Sequence, residues 1–276
     1  MQTLLPTGKL PVSLLASLLA KYAPHSDPRL TVGPGPGLDA AAIEFGDRIL
    51  VAAADPITFA SDEIGWYAVH VNANDVATMG AEPRWFLATL LLPAGATTPA
   101  QVEDIFRQMA QACAALGAAL AGGHTEVTYD LPRPLIAGVM LGEVPAGALI
   151  RGDGAQVGDD VVLARGVPIE GTALLAREKG AALRACGLAS EVIERARGFL
   201  HDPGLSVVQV ARLCRQAATL HAMHDPTEGG LATGLREMAQ AAALGLAVDL
   251  DAVPVLPEGA ALCHMLGLDP LGVIAS

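Results

Sequence analysis

Residues 70–83 read His70-Val71-Asn72-Ala73-Asn74-Asp75-Val76-Ala77-Thr78-Met79-Gly80-Ala81-Glu82-Pro83, and their reading decides the fold. With Trp66 and Ala68 ahead of them, Val71, Val76 and Met79 supply apolar positions for one helix starting after Asp62-Glu63. On that helix Asn72 and Asp75 share a face at a spacing of three, and His70 and Asn74 at a spacing of four. Asn and Asp are poor helix-interior residues because their side chains compete for the backbone. Gly80 as a left-handed cap and Pro83 as a stop account for the helix end. They do not account for Asp75, a carboxylate facing the negative end of the helix dipole. A bound cation reverses that penalty, so the stretch points to a metal or polar ligand.

Composition narrows the partners. The 276 residues carry 17 Lys and Arg against 29 Asp and Glu, a formal net charge of −12. The pI near 4.9 disfavours nucleic acid or an anionic membrane as the main partner. Hydrophobic residues make up 52% of the chain and aromatics 4%, so an ample core must pack through small side chains. Mean hydropathy is +0.43, yet no apolar run reaches the ~18 residues of a membrane span. Leu10, Leu14, Leu15, Leu18 and Leu19 form a helical stripe after Pro11, without a signal-peptide cleavage site, and the expectation is a cytoplasmic protein. Cys113, Cys186, Cys214 and Cys263 form no CxxC and read as small buried thiols. With His221, His224 and His264 their spacing fits no compact zinc module.

Outward from residues 70–83, a hairpin is expected at Ala40 to Phe45 and Ile49 to Ala54 around Gly46-Asp47. Strands are expected at Trp85 to Leu92, Ala118 to Ala121 and Leu135 to Val144, and a long helix at Pro99 to Leu116. The Gly- and Asp-rich residues 151–160 mark the best domain boundary, dividing the chain into 1–148 and 149–276. Beyond it, helices are expected at Thr172 to Lys179, Ser190 to Leu200, Ser206 to Ala217, after Gly230 and at Glu258 to Leu266. Short strands are expected at residues 161–164, 246–249 and 271–276, and residues 222–224 read as a strand or loop.

Carboxylates recur at element ends: Asp39, Asp55, Asp75, and Asp225 with Glu228. Without a Cys/His cage, such a set suits hard Mg²⁺ shared with phosphate. Asp225-Pro226-Thr227-Glu228 also reads as an N-terminal helix cap. It leaves Gly229-Gly230, whose bare backbone at a helix start suits a phosphate, with Thr227 as an oxygen donor. The common nucleotide motifs are missing: Gly166 to Thr172 lacks the P-loop lysine, and Gly35-x-Gly37 leads into a strand. There is no GxSxG.

Taken in order, GKLP, PGLDAAAI, VAAADPIT, VNANDVATMGAEPRWF, AGGHTEV, LIRGDGAQVGDDVVL, GVPIEGTALLAREKG and HDPTEGGLATGL resemble the aminoimidazole ribonucleotide (AIR) synthase, or PurM-like, superfamily. The nearest branch is similar to AIR synthase-related proteins akin to the hydrogenase maturation protein HypE. The resemblance implies an α/β protein of two domains. The N-terminal domain would give strands to a barrel shared with a twin subunit, and the C-terminal α/β domain would be incomplete at its end. It implies ATP and Mg²⁺ between the domains, a homodimer, a small-molecule acceptor and a maturation-protein partner. Asp55, Asp75 and Asn72 would be catalytic. Asp39, Gly122, Gly123, His124, Thr125, Asp225, Thr227, Gly229 and Gly230 would bind the nucleotide. Asp39, Asp55, Asp75, Asp225, Glu126 and Glu228 would be available to metal. The sequence departs from the family in three places: Leu38 stands where an Asp is usual, His124 replaces the Asp of Gly-Gly-Asp-Thr, and the cysteine-bearing tail of HypE is absent. The implied activity is phosphoryl transfer from ATP to an amide-type oxygen or small acceptor. The alternatives are a small-molecule kinase resembling thiamine-monophosphate kinase and a non-catalytic nucleotide-binding or assembly protein.

Overall fold

The computed structural model describes residue 5, residues 9–23 and residues 27–275. In chain order its elements are α1 (Val12–Tyr22), β1 (Leu30–Val32), β2 (Ala40–Phe45), β3 (Arg48–Ala53), β4 (Pro56–Ile57), α2 (Ile64–Thr78), β5 (Glu82–Pro93), α3 (Pro99–Leu116), β6 (Ala119–Thr128) and β7 (Leu135–Pro145). Five helices follow, α4 (Glu170–Ala185), α5 (Ser190–Gly198), α6 (Val208–Ala217), α7 (Gly230–Ala241) and α8 (Pro257–Leu266), with a π-turn at Leu200–Gly204 and a 3₁₀ turn at Leu250–Ala252. No helix among the described residues is long and apolar enough to cross a membrane.

The strands form one sheet in the order β1-β2-β3-β7-β5-β6, with β4 also pairing with β7. All pairs are antiparallel except β5 and β6, which are joined by the crossover helix α3 and run parallel. Alternation sends Phe86, Ala88, Leu90 and Leu92 of β5, and Ile136, Met140 and Val144 of β7, into the core. The opposite face shows Leu50, Leu87, Leu91, Val139 and Leu141, each half-buried. β6 is the sheet's exposed edge. It extends over Gly122 to Glu126, where the sequence pattern ends the strand at Ala121, because pairing with β5 overrides the weak strand propensity of two glycines.

α2 begins after Glu63, and its end is closed as expected: Gly80 lies at φ +75° and Ala81 N–H donates to the Val76 carbonyl at 3.2 Å. Of its fifteen residues only Trp66 is not buried. The helix rests on β3, β5 and β7, packs against α3, and is covered by α6. A helix enclosed on every side must satisfy each polar side chain from within. Asn74 does so by accepting from Val207 N–H (2.9 Å) and donating to the Leu205 carbonyl (3.0 Å), which ties the later half of the chain to α2. Arg212 of α6 pairs with Glu82, and Arg215 donates to the Gly80 carbonyl. His70 lies against Trp66 with ring centroids 4.5 Å apart. Its nitrogens have no partner among the described residues, and burial, with His201 nearby, pushes its pKa down to about 4.

One hydrophobic cluster draws on residues from both sides of residue 149. Ile169, Ala173, Leu200, Leu205, Val208 and Ala211 belong to the same cluster as α2, and Ala176, Leu183, Ile193, Ala196 and Leu262 form a smaller second one. The strands expected at residues 161–164, 246–249 and 271–275 are not formed, nor is one at 222–224; residue 276 lies outside the described residues. A strand exists only through a neighbour's hydrogen bonds. Past β7, among the described residues, the backbone makes one isolated parallel bridge, Val167 to Val255. The final segment is instead stitched by single bonds: Gly171 N–H donates to the Ile274 carbonyl (2.8 Å) and Ala275 N–H to the Pro226 carbonyl (3.2 Å).

Gly65 fixes how closely α2 and α3 approach. A Cβ there would lie 2.6 Å from the Ile105 carbonyl oxygen, and the Gly65 N–H donates to Gln108 Oε1 at 2.9 Å. Gly65→Ala should destabilise the protein by roughly 1–3 kcal/mol through overpacking. The urea-unfolding midpoint reads this directly, and an unshifted midpoint would show that the helix contact yields freely.

Candidate functional site

The site grows from α2. Asp75, 2% exposed, projects from its last turn toward the junction of β3 and β4, where Asp55 lies. Asn72, one turn earlier, behaves like a strand partner for Asp55. Its Oδ1 accepts from Asp55 N–H at 2.8 Å, and its Nδ2 donates to the Asp55 carbonyl at 3.1 Å and to the Ala68 carbonyl at 2.9 Å. Gly138 adds a second bond to the Asp55 carbonyl, at 3.0 Å. The amide of Asn72 is thus bonded to backbone on both its oxygen and its nitrogen and is fully buried, and it holds the Asp55 backbone in place.

Two other segments complete the cluster. The turn ahead of β2 brings Asp39, and the loop ahead of α7 brings His224 and Asp225; ligand atoms of these three lie within 4.8 Å of one another. Asp225 is 2% exposed. Burial, the Asp225 charge and a hydrogen bond shared with Asp55 hold the Asp75 carboxyl well above the usual carboxylate range, with Asp39 adding to the effect. Burial pushes Asp225 up to about 6; His224 pulls it down, and Asp39 and Asp55 push it up. Burial opposes the charge on Asp39 too, but the His224 hydrogen bond and charge, with Lys9, hold it below the usual range. His224 is the mirror case: burial works against its charge, and the Asp39 and Glu237 carboxylates outweigh burial and raise it to about 10.

Asp75 Oδ2 and both side-chain oxygens of Asp225 are buried with no hydrogen-bond partner among the described residues. Buried carboxylate oxygens without donors are costly, and a hard divalent cation with oxygen ligands removes that cost. The residues present therefore fit Mg²⁺.

The remaining expected residues divide. Thr227 reaches the rim, where its Oγ1 accepts from Lys9 Nζ at 3.2 Å. Glu228 is half-buried and stands outside the group of Asp39, His224 and Asp225 found among the described residues. The cap expected from Asp225-Pro226-Thr227-Glu228 is not made, because α7 starts later, at Gly230, with Gly229 as its N-cap and no side-chain bond. At Gly230, which lies at φ +63°, a Cβ would strike the Leu271 and Val273 carbonyls. His124 and Glu126 pair with each other (3.1 Å) on exposed β6, with Gly122, Gly123 and Thr125, and within one chain they do not join the carboxylates. Gly123 packs against the Ala88 backbone. Lys9 and Glu237 were not anticipated, and His224 was weighed only as a zinc-like ligand. Glu237 Oε1 lies 3.6 Å from Lys9 Nζ, and Glu237 Oε2 lies 3.2 Å from His224 Nε2. The one local signal was the place of His224 immediately before Asp225.

The family descriptions "AIR synthase related protein, N-terminal domain" and "AIR synthase related protein, C-terminal domain" match residues 37–144 and 156–275. The chain belongs to the AIR synthase-related family. It is 33% identical over 240 residues to carbamoyl dehydratase HypE of Cupriavidus necator, covering 85% of this chain but only 65% of that protein. It is 28% identical to the selenide, water dikinase of Aeromonas hydrophila, covering 91% of this chain and 70% of the relative. Among solved structures, HypE in complex with ATP superposes with a TM-score of 0.68 at 27% identity, covering 98% of this chain and 77% of that one. AaThiL complexed with AMPPCP and TMP gives a TM-score of 0.73 at 19% identity, covering 96% of this chain and 84% of that one, a likeness of fold.

The carboxylate cluster makes stability depend on pH with a definite sign. The folded chain holds protons on Asp75 and Asp225 that the unfolded chain releases near the ordinary carboxylate pKa of about 4, so this pair's contribution to metal-free stability falls as pH rises through about 6. Asp75→Asn removes a charge that the fold resists. Without divalent ions, its melting temperature should exceed the parent's by more at about pH 8 than at about pH 4. Equal shifts at both would contradict the assignment.

Proposed function

We propose that this protein is an ATP- and Mg²⁺-dependent enzyme that activates an amide-type oxygen or a comparable small acceptor by phosphoryl transfer. The observation that carries the proposal is the set of buried, unpartnered oxygens on Asp75 and Asp225, gathered with Asp39 and Asp55. The relatives named carbamoyl dehydratase and selenide, water dikinase, and the HypE structure containing ATP, support it.

Asp39, Asp55, Asp75 and Asp225 would hold the ion. Bound there, Mg²⁺ would neutralise phosphate charge and orient the transferred group. Lys9 brings an ammonium to the rim beside Thr227, suited to an anionic phosphate oxygen. The acceptor's own oxygen attacks, so the chain has to supply positioning and charge rather than a nucleophile. A cavity of about 410 Å³ opens beside Leu38, walled by Val12, Pro36 and Ala241, and is the place we assign to the acceptor. We further infer a homodimer across the open sheet face. It would cover Leu91 and Leu141 and bring Gly122, Gly123, His124, Thr125 and Glu126 of one chain toward the nucleotide of the other.

Asp75→Ala and Asp225→Asn should each lower Mg²⁺-dependent ADP release by roughly 100-fold or more while far-UV circular dichroism is retained. Unchanged turnover would overturn the proposal. Product analysis separates its variants. Free phosphate marks the dehydratase or ligase type, and a lasting phosphorylated product marks a kinase. ATP-dependent thermal stabilisation without ADP would mark a non-catalytic nucleotide-binding protein. For the dimer, Leu141→Arg should halve the mass measured by light scattering, and an unchanged mass would exclude this face.

A further inference from the structure

Four side chains outside the carboxylate set form one continuous chain of contacts leading into it. Lys9 Nζ donates to Thr227 Oγ1 at 3.2 Å and lies 3.6 Å from Glu237 Oε1. Glu237 Oε2 lies 3.2 Å from His224 Nε2, and His224 Nδ1 lies 2.8 Å from Asp39 Oδ2. The links come from separate parts of the sequence: the segment ahead of α1, the turn ahead of β2, the loop ahead of α7, and α7 itself. The His224 ring is 5% exposed and the Glu237 side chain 12%, so both nitrogens face fixed carboxylates rather than water. Asp39 is the least buried member of this chain's inner end, at 28%, and sits on a turn rather than inside a helix or strand. A carboxylate on a turn has rotamers to lose before it ligates an ion, and His224 holds it through Oδ2.

We propose that His224 is a positioning residue of the ion site, fixing Asp39 through Nδ1 and being fixed in turn by Glu237 through Nε2, so that it sets the affinity for a divalent cation. The inference rests on the divalent-ion reading above. It differs from a purely structural role, in which His224 would merely weld α7 to the turn ahead of β2. A group that orients a ligand alters metal affinity by about 10- to 100-fold when removed, whether or not the fold is weakened.

The two contacts of the ring are separable. His224→Asn keeps an N–H donor near the position of Nδ1, facing Asp39. His224→Gln keeps one near Nε2, facing Glu237. The measurement is Mn²⁺ binding to the full chain by electron paramagnetic resonance of the free ion, with melting temperatures recorded without metal. His224→Gln should weaken Mn²⁺ binding about 10-fold or more and His224→Asn by less than about 3-fold, at comparable melting temperatures. In an Asp39→Asn background the difference between the two variants should vanish. Equal losses in both variants, a loss that simply follows melting temperature, or a difference that persists without Asp39 would overturn the role of His224 and leave the ion site standing. A parent protein that binds no Mn²⁺ would overturn the ion reading and this inference with it.

Discussion

Asp75 carries a carboxylate on a helix enclosed on all sides, beside a second buried carboxylate, and neither has enough hydrogen-bond donors to hold its charge. Burial of that kind is among the most expensive things a fold does with a polar group. It persists here beside three polar residues of α2 that each have a defined task. Asn72 locks the backbone that presents Asp55, Asn74 grips residues 205 and 207, and Thr78 donates to the Asp75 carbonyl at 2.8 Å. The helix is therefore both the centre of the core and the floor of the site.

The two roles explain how the rest of the chain is disposed. The sheet supports α2 from below and delivers Asp55 at a strand end, while α6 and the preceding residues close over it and bring the loop of Asp225 into range. Charge balance then follows from local partners. Asp39 is paired with a cationic His224, whereas Asp75 Oδ2 and both side-chain oxygens of Asp225 have no hydrogen-bond partner among the described residues. Paired and unpaired carboxylates in one pocket separate a group already held in place from groups that still want a cation.

Much of this was legible in residues 70–83. The helix, its start after Glu63 and its Gly80 cap follow from periodicity and capping, and Asp75 stood out because no helix rule explained it. The pairing of Asp39 with His224 was not legible, since 185 positions separate them and no periodic pattern links a turn to a distant loop. Gly229 and Gly230 carry a demand of another kind. Local sequence suggested bare backbone for phosphate, and Gly230 also makes room for the Leu271 and Val273 carbonyls, a tertiary demand invisible in local sequence. The short apolar runs at residues 161–164 and 246–249 show the limit of strand reading, because alternation names a candidate but only a neighbour makes a strand.

Anomalous diffraction from crystals grown with Mn²⁺ and a non-hydrolysable ATP analogue tests the central claim most directly. A manganese peak should lie about 2.0–2.3 Å from Asp75 Oδ2 and from an Asp225 oxygen, with the nucleotide phosphates against it. Manganese bound elsewhere, with the Asp75 and Asp225 side chains touching only protein, would contradict it.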